Sequence, residues 1–229
     1  MKKRITAMVL AVATALVTFS QPVLADPSTL KVDPEAGNNT FNAVFDAALG
    51  ERITAVSSAV GCTITADEGA LEGHAKCSVP LTSIKVDSDD TKTDHFRQWA
   101  TNKKIDPKKC SFDLDAPHVK LPSPLAEKQP VTFTTEGTFT ICGRKRENGQ
   151  AEKIQGTVIL LPPGMVGEGK TFRIRAKVEG FDREQYGISP KNTAGWLARV
   201  QQLANVVATE GMIDVNIFAT SPAGAQAKK

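Results

Sequence analysis

The sequence contains few of the patterns that mark enzymes. Its three histidines, His74, His95 and His118, have no ligand spacing between them, and the patterns GxSxG, HExxH and the phosphate-binding P-loop are absent. Their absence argues against the hydrolases, metalloproteases and nucleotide-binding proteins that these patterns identify. Asp94 and His95 are adjacent, but neighbours on a helix point about 100° apart and do not form an acid–base pair. We therefore predict no catalytic residue, no metal site and no enzyme activity.

An excess of charge is also missing once the first 25 residues are set aside. These residues have the form of an export signal, with three basic residues at positions 2–4, an apolar run at 7–19 and small residues before Ala25. The whole chain has 28 Lys+Arg against 25 Asp+Glu. Removing the signal leaves equal numbers of both, so we expect no nucleic-acid binding.

No long apolar run follows the predicted signal, and a membrane-spanning helix needs about 20 apolar residues. We therefore expect residues 26–220 to form one domain that does not span a membrane and is periplasmic or secreted. Residues 221–229 are small and polar, which is typical of a disordered tail.

The cysteines are few but even in number, which favours two disulfides in an oxidising compartment. Three pairings of Cys62, Cys77, Cys110 and Cys142 are possible. If residues 61–80 form a hairpin, the first two cysteines face each other. We therefore favour Cys62–Cys77 and Cys110–Cys142. The sequence has no CxxC or Cys–His spacing for zinc.

Most of the remaining chain alternates apolar and polar residues, which is typical of half-buried strands. Clear examples are residues 40–47 and 212–219, and we predict separate strands at 131–135 and 137–142. Residues 196–207 instead have helical spacing. About nine or ten strands with two short helices indicate an all-β fold, either an antiparallel barrel or a sandwich. Closure into a barrel is favoured because it removes unpaired edges.

The other helical segment lies within residues 83–114, between two predicted strands. Asp90 or Thr91 can cap it, and Asp94 falls in its predicted first turn. Phe96 and Trp99 lie three residues apart and share one face. This aromatic face predicts a helix that acts as a lid over one end of the β structure.

Several segments of the chain have a recognisable order, namely LKVDP with TFNAVF, SIKVDSDDTKTDHFRQWA, CSFDL, GTFTICG and GFDREQYGIS. Taken in this order, they resemble the YceI-like family of bacterial polyisoprenoid-binding proteins. The resemblance covers roughly Leu30 to Ala219. The residues that match the two short signatures of the family are His95, Phe96 and Arg97, and Arg183, Tyr186 and Gly187.

The resemblance implies a lipocalin-like, extended antiparallel β-barrel with an apolar cavity that holds a long isoprenoid chain or a similar amphiphilic lipid. An isoprenoid quinone belongs to the same ligand class, and no cofactor is implied. Phe96 and Trp99 would cap the cavity. The residues expected to line it are Phe41, Phe45, Ile64, Phe112, Leu114, Phe133, Phe139, Ile141, Ile174, Val178, Val215 and Ile217.

Two points stay open at this stage. The barrel is either hollow, as a lipid carrier requires, or filled by its own side chains, as in an interaction protein that binds an envelope partner. A homodimer is compatible with both. Arg183 either binds a lipid head group or braces a tight turn through backbone carbonyls, with Gly187 allowing a positive φ. We favour the bracing role.

Overall fold

The computed structural model describes residues 28–67, 71–166, 169–192 and 207–221. The predicted export signal lies outside these residues. So do the predicted tail, apart from Ser221, and the predicted second helix, apart from Val207.

The described residues form twelve β-strands and one α-helix. The sequence predicts about nine or ten strands. The structure has more because it includes two strands of only two residues each. None of the described helices is long and apolar enough to cross a membrane. The helix is Asp90–Thr101 (α1). The strands are Ser28–Val32 (β1), Thr40–Ala47 (β2), Arg52–Ser57 (β3), Gly61–Asp67 (β4), Glu72–Pro80 (β5), Lys85–Val86 (β6), Ser111–Lys120 (β7), Pro130–Ile141 (β8), Arg144–Lys145 (β9), Glu152–Leu161 (β10), Thr171–Asp182 (β11) and Val207–Thr220 (β12).

Eight of the described strands close into an antiparallel barrel in the order β1, β4, β5, β7, β8, β10, β11 and β12. Lys31 of β1 pairs with Thr220 of β12 and completes the ring. Residues 207–216 of β12 pair instead with β2. Strand β2 pairs in turn with β3, and β3 pairs with β6. Asn39 lies where β12 changes partner, and its side-chain oxygen accepts a hydrogen bond from Phe218 N at 3.0 Å. The predicted all-β, lipocalin-like barrel is confirmed.

Three predicted strands, at 131–135, 137–142 and 212–219, have wrong limits. Strand β8 continues through Gly137. The glycine does not end the strand there, and its missing side chain makes room for neighbouring side chains. A Cβ there would lie 2.7 Å from both Ile154 and Leu114. Strand β12 begins at Val207, five residues before the predicted start at Met212, because its ladder to β11 extends to Glu210 and Val207 itself pairs with Ala47 of β2.

The helix starts one residue earlier than the predicted cap Asp90 implies, and two earlier than the alternative cap Thr91. Asp89 is the N-cap, and its carboxylate accepts a hydrogen bond from Lys92 N at 2.9 Å. Asp94 therefore lies in the second turn. Thr93 fixes the helix to β6, since its hydroxyl oxygen accepts a hydrogen bond from Val86 N at 3.0 Å.

Both predicted disulfides are present. Cys62 and Cys77 are direct cross-strand partners in β4 and β5. Cys110 and Cys142 join the residue before β7 to the residue after β8. Each bond therefore joins neighbouring parts of the barrel wall.

Candidate ligand cavities

The barrel encloses a cavity of about 300 Å³, called here the main cavity. Apolar side chains from all eight barrel strands line most of it, for example Leu30 of β1 and Ile217 of β12. Space remains because several inward positions carry small side chains, namely Ala66, Ala75, Ala116 and Ala176. The volume lies at the lower end of the range for small-molecule sites, about 300–1000 Å³.

The charged groups of the main cavity lie at its mouth. Asp67 and Glu72 come from the ends of the β4–β5 hairpin, and Lys170 directly precedes β11. The Glu72 carboxylate lies 2.9 Å from His118 Nδ1 and 3.9 Å from Lys120 Nζ. An apolar interior with a charged rim suits an amphiphile whose tail is enclosed and whose polar end stays in water.

A second cavity of about 200 Å³ lies beneath α1. Its apolar lining includes Phe96 and Trp99 from the helix, Phe45 and Ile53 from β2 and β3, and Phe181 from β11. The aromatic face of the helix therefore covers this second cavity and not the main one. Glu51, Lys92, His95 and Arg183 contribute the charged and polar part of its lining.

Arg183 braces the chain beside the second cavity. The residue is 4% exposed. Its side chain donates hydrogen bonds from Nε to the carbonyl of Ala208 (3.0 Å), from Nη1 to that of Ile188 (2.7 Å) and from Nη2 to that of Val207 (2.9 Å). Its guanidinium also lies 5.8 Å from the centre of the Trp99 ring. Burial lowers the pKa of Arg183 from its ordinary value. The bracing role predicted for this residue is confirmed.

Tyr186 and Gly187 complete the same structural unit. The Tyr186 ring stacks on Phe181 with centroids 4.9 Å apart, and its hydroxyl donates a 2.8 Å hydrogen bond to buried Glu152. Gly187 adopts a φ of 67°, in the region that favours glycine. Arg144 and Asn192 tie this unit to the C-terminal end of α1, donating hydrogen bonds to the carbonyls of Gly187, Ala100 and Trp99.

Burial and the hydrogen bond to Glu152 raise the pKa of Tyr186 well above its ordinary value of 10.0. Tyr186 is the only tyrosine of the chain, so phenolate absorbance reports on it alone. We expect native protein to show no phenolate near pH 10, and denatured protein to ionise there. The raised pKa also means that this tyrosine stabilises the fold fully below about pH 10, and that its contribution falls as the pH rises further.

A matched variant isolates this effect. Tyr186→Phe keeps the stacked ring but removes the ionisable group, so its unfolding free energy should depend less on pH above about pH 10 than that of the wild type. Ionisation of the native tyrosine in its ordinary range would contradict this account.

The structure divides the fourteen predicted ligand-binding residues into three groups. The first group lines the main cavity: Ile64, Leu114, Phe133, Ile174, Val215 and Ile217. The second group lines the second cavity: Phe45, Phe96, Trp99 and Phe112. The third group is buried and lines neither cavity: Phe41, Phe139, Ile141 and Val178.

Part of the main-cavity lining was not predicted. Leu30 and Phe172 belong to alternating segments, so the same period-two pattern could have identified them. Leu121, Pro124 and Leu125 lie in the loop between β7 and β8. No periodic signal in the sequence marks loop residues of this kind.

The described residues contain no group of three or more histidine, cysteine or acidic side chains placed to hold a metal ion. His74 and His118 pair with Asp115 and Glu72 on exposed parts of β5 and β7. His95 lies in the lining of the second cavity.

Comparison with known proteins finds a similarity of structure. No protein-family model matches the chain, and no curated protein matches its sequence. A solved polyisoprenoid binding domain from Saccharophagus degradans, implicated in plant cell wall breakdown, matches in structure with a TM-score of 0.59. The match covers 86% of this chain and 99% of that domain, at 14% sequence identity. The two chains share a fold. The likeness supports the barrel architecture inferred from the strand order.

Proposed function

We propose that this protein is an exported lipid-binding protein that holds a long-chain polyisoprenoid, or a similar amphiphile, for transport or storage. The observation that carries the proposal is the apolar main cavity inside a closed barrel, with its charged groups at the mouth. The shared fold with a domain described as polyisoprenoid-binding adds support. The chain of the ligand would lie in the cavity, and its polar end would lie at the rim near Glu72 and Lys170.

The size of the cavity is compatible with partial enclosure of such a chain. Burying an apolar carbon contributes about 0.8 kcal/mol, so about ten enclosed carbons contribute about 8 kcal/mol before the cost of immobilising the ligand. Partial enclosure of a long chain is therefore enough for useful affinity. An isoprenoid quinone fits the same chemical class, since its ring can stay at the mouth while its tail is enclosed.

The alternative is an interaction protein of the envelope, with a barrel filled by its own side chains. That function has no use for an internal cavity. The 300 Å³ of open space between the barrel strands therefore favours the lipid-binding proposal.

The direct test is native mass spectrometry of the full chain, expressed with its own export signal and purified from an extracellular or periplasmic fraction without detergent. We expect a protein–lipid complex that releases an isoprenoid on extraction with organic solvent. A lipid-free mass, together with no uptake of added polyprenols or isoprenoid quinones, would refute the proposal.

A further inference from the structure

The two cavities have no lining residue in common, and their linings follow one another along two strands. Strand β7 shows the transition, because Leu114 lines the main cavity and Phe112, two residues earlier, lines the second. Strand β12 shows it again, with Val215 in the main cavity and Ile213 in the second. Residues two apart on a strand point to the same side. On each of these strands, one inward-facing residue therefore lines the main cavity, and the next inward-facing residue lines the second cavity.

On β4, β5 and β11, the inward residue next to the last one that lines the main cavity lines neither cavity. We call these three residues, together with Phe41 and Phe139, the partition. Its members line neither cavity and are each 6% exposed or less: Phe41, Cys62, Val79, Phe139 and Val178.

Aromatic contacts hold the partition against the floor of the second cavity. The Phe41 ring lies 5.9 Å from that of Phe112, and the Phe139 ring lies 5.7 Å from that of Phe181. Phe112 in turn stacks on Phe96 of α1 at 6.0 Å. The partition is therefore packed on its far side by the residues beneath the helix, and a chain that reaches it from the main cavity meets a supported surface.

The barrel wall is also cross-linked at this level. Cys62 belongs to the partition, and its disulfide partner Cys77 lines the main cavity. The covalent bond between β4 and β5 keeps these two strands from separating beside the partition. Widening of the barrel at this point is therefore restricted.

We propose that the partition is a length gauge for the bound chain. This inference rests on the proposed lipid-binding function. A tail that enters from the mouth gains affinity with each isoprene unit until its end reaches Phe41 and Phe139. Further units then stay at the mouth in contact with water, where they add little. Phe41, Phe139 and Val178 are thus specificity-determining residues that select chain length.

The test compares binding of geraniol, farnesol, geranylgeraniol and a long polyprenol to the full mature chain, with its disulfides intact. For the wild type, affinity should rise roughly tenfold or more per isoprene unit and then level off. We call the chain length at which affinity stops rising the levelling point. Phe139→Ala removes a ring from the partition and should move the levelling point to a longer chain by at least one isoprene unit. Val178→Ala, a smaller change in the same layer, should move it in the same direction and remains available if the larger truncation unfolds the protein.

Phe172→Ala is the matched control, since Phe172 is equally buried but lines the main cavity. It should change affinity for all chain lengths by a similar factor and leave the levelling point in place. A levelling point that is unchanged in both folded partition variants, or that moves equally in the control, would overturn the gauge.

Linear alkyl alcohols of increasing length separate this inference from the function on which it rests. If linear chains bind and prenyl alcohols do not, the isoprenoid assignment fails, and a levelling point that moves in Phe139→Ala still supports the gauge. If prenyl alcohols bind without any levelling, the gauge fails while the lipid-binding function stands. If no chain of either kind binds, both are refuted.

Discussion

Replacing Phe133 with aspartate is expected to abolish uptake of a fluorescent polyprenyl probe. Phe133 lines the main cavity, and its ring covers the backbone of Gly156 on the neighbouring strand. The change removes an apolar contact worth about 1.5–3 kcal/mol and introduces a carboxylate that loses hydration when a chain is enclosed. Together these effects should weaken binding about a hundredfold or more, measured by fluorescence titration of the folded variant.

The neighbouring residue supplies the control. Thr134 is exposed on the outer face of the same strand. Thr134→Asp adds the same charge at almost the same height on the barrel, and it should leave probe affinity within about twofold of the wild-type value. Circular dichroism and thermal unfolding would establish that both variants are folded. Unchanged uptake by folded Phe133→Asp would contradict the location of the ligand in the main cavity.

Replacing Arg183 with alanine is expected to destabilise the protein without weakening lipid binding in the molecules that stay folded. The substitution leaves three backbone carbonyls, those of Val207, Ala208 and Ile188, without their donor. A buried group that loses its partner costs about 1–3 kcal/mol, and two of these three bonds are partly exposed to water, so we expect a loss on the order of 3 kcal/mol. Chemical denaturation with intact disulfides measures it.

Two further variants define the origin of this effect. Arg183→Lys should recover little of the stability, because an ammonium group lacks the planar fork that reaches three carbonyls at once. Arg175→Ala removes an exposed arginine from β11 and should change stability by less than about 0.5 kcal/mol. A head-group role would produce the opposite pattern in Arg183→Ala, with normal stability and a large loss of probe affinity.

Local sequence patterns were sufficient for much of the barrel wall. Strand β2 has the predicted bounds, because the alternation of Phe41, Ala43 and Phe45 against Asn42 and Asp46 is a local property. The Cys62–Cys77 pairing follows from the register of a single hairpin, which is also local. The Arg183 interaction was anticipated as a brace, but its three acceptors were not, since two of them lie more than twenty positions away.

The predicted strand limits were wrong where they depend on contacts with residues distant in sequence. Gly137 interrupts the pattern of β8, yet the strand continues there because side chains from β7 and β10 fill the space above the glycine. The early start of β12 likewise depends on its ladder with β11 and on the pairing of Val207 with Ala47 of β2. Neither partner can be read from the segment itself.

The separation into two cavities was decided by the tertiary structure alone. Alternation in the sequence states which side chains face inward, and the fourteen predicted residues all belong to inward-facing or helix-facing apolar positions. It does not state their height along the barrel axis, which depends on strand tilt and on the stagger between neighbouring strands. Phe41 and Phe139 lie far apart in sequence, and both are buried without lining the main cavity. The sequence therefore determined a β-barrel with an apolar interior, and the stagger of its strands determined where that interior is open and where it is closed.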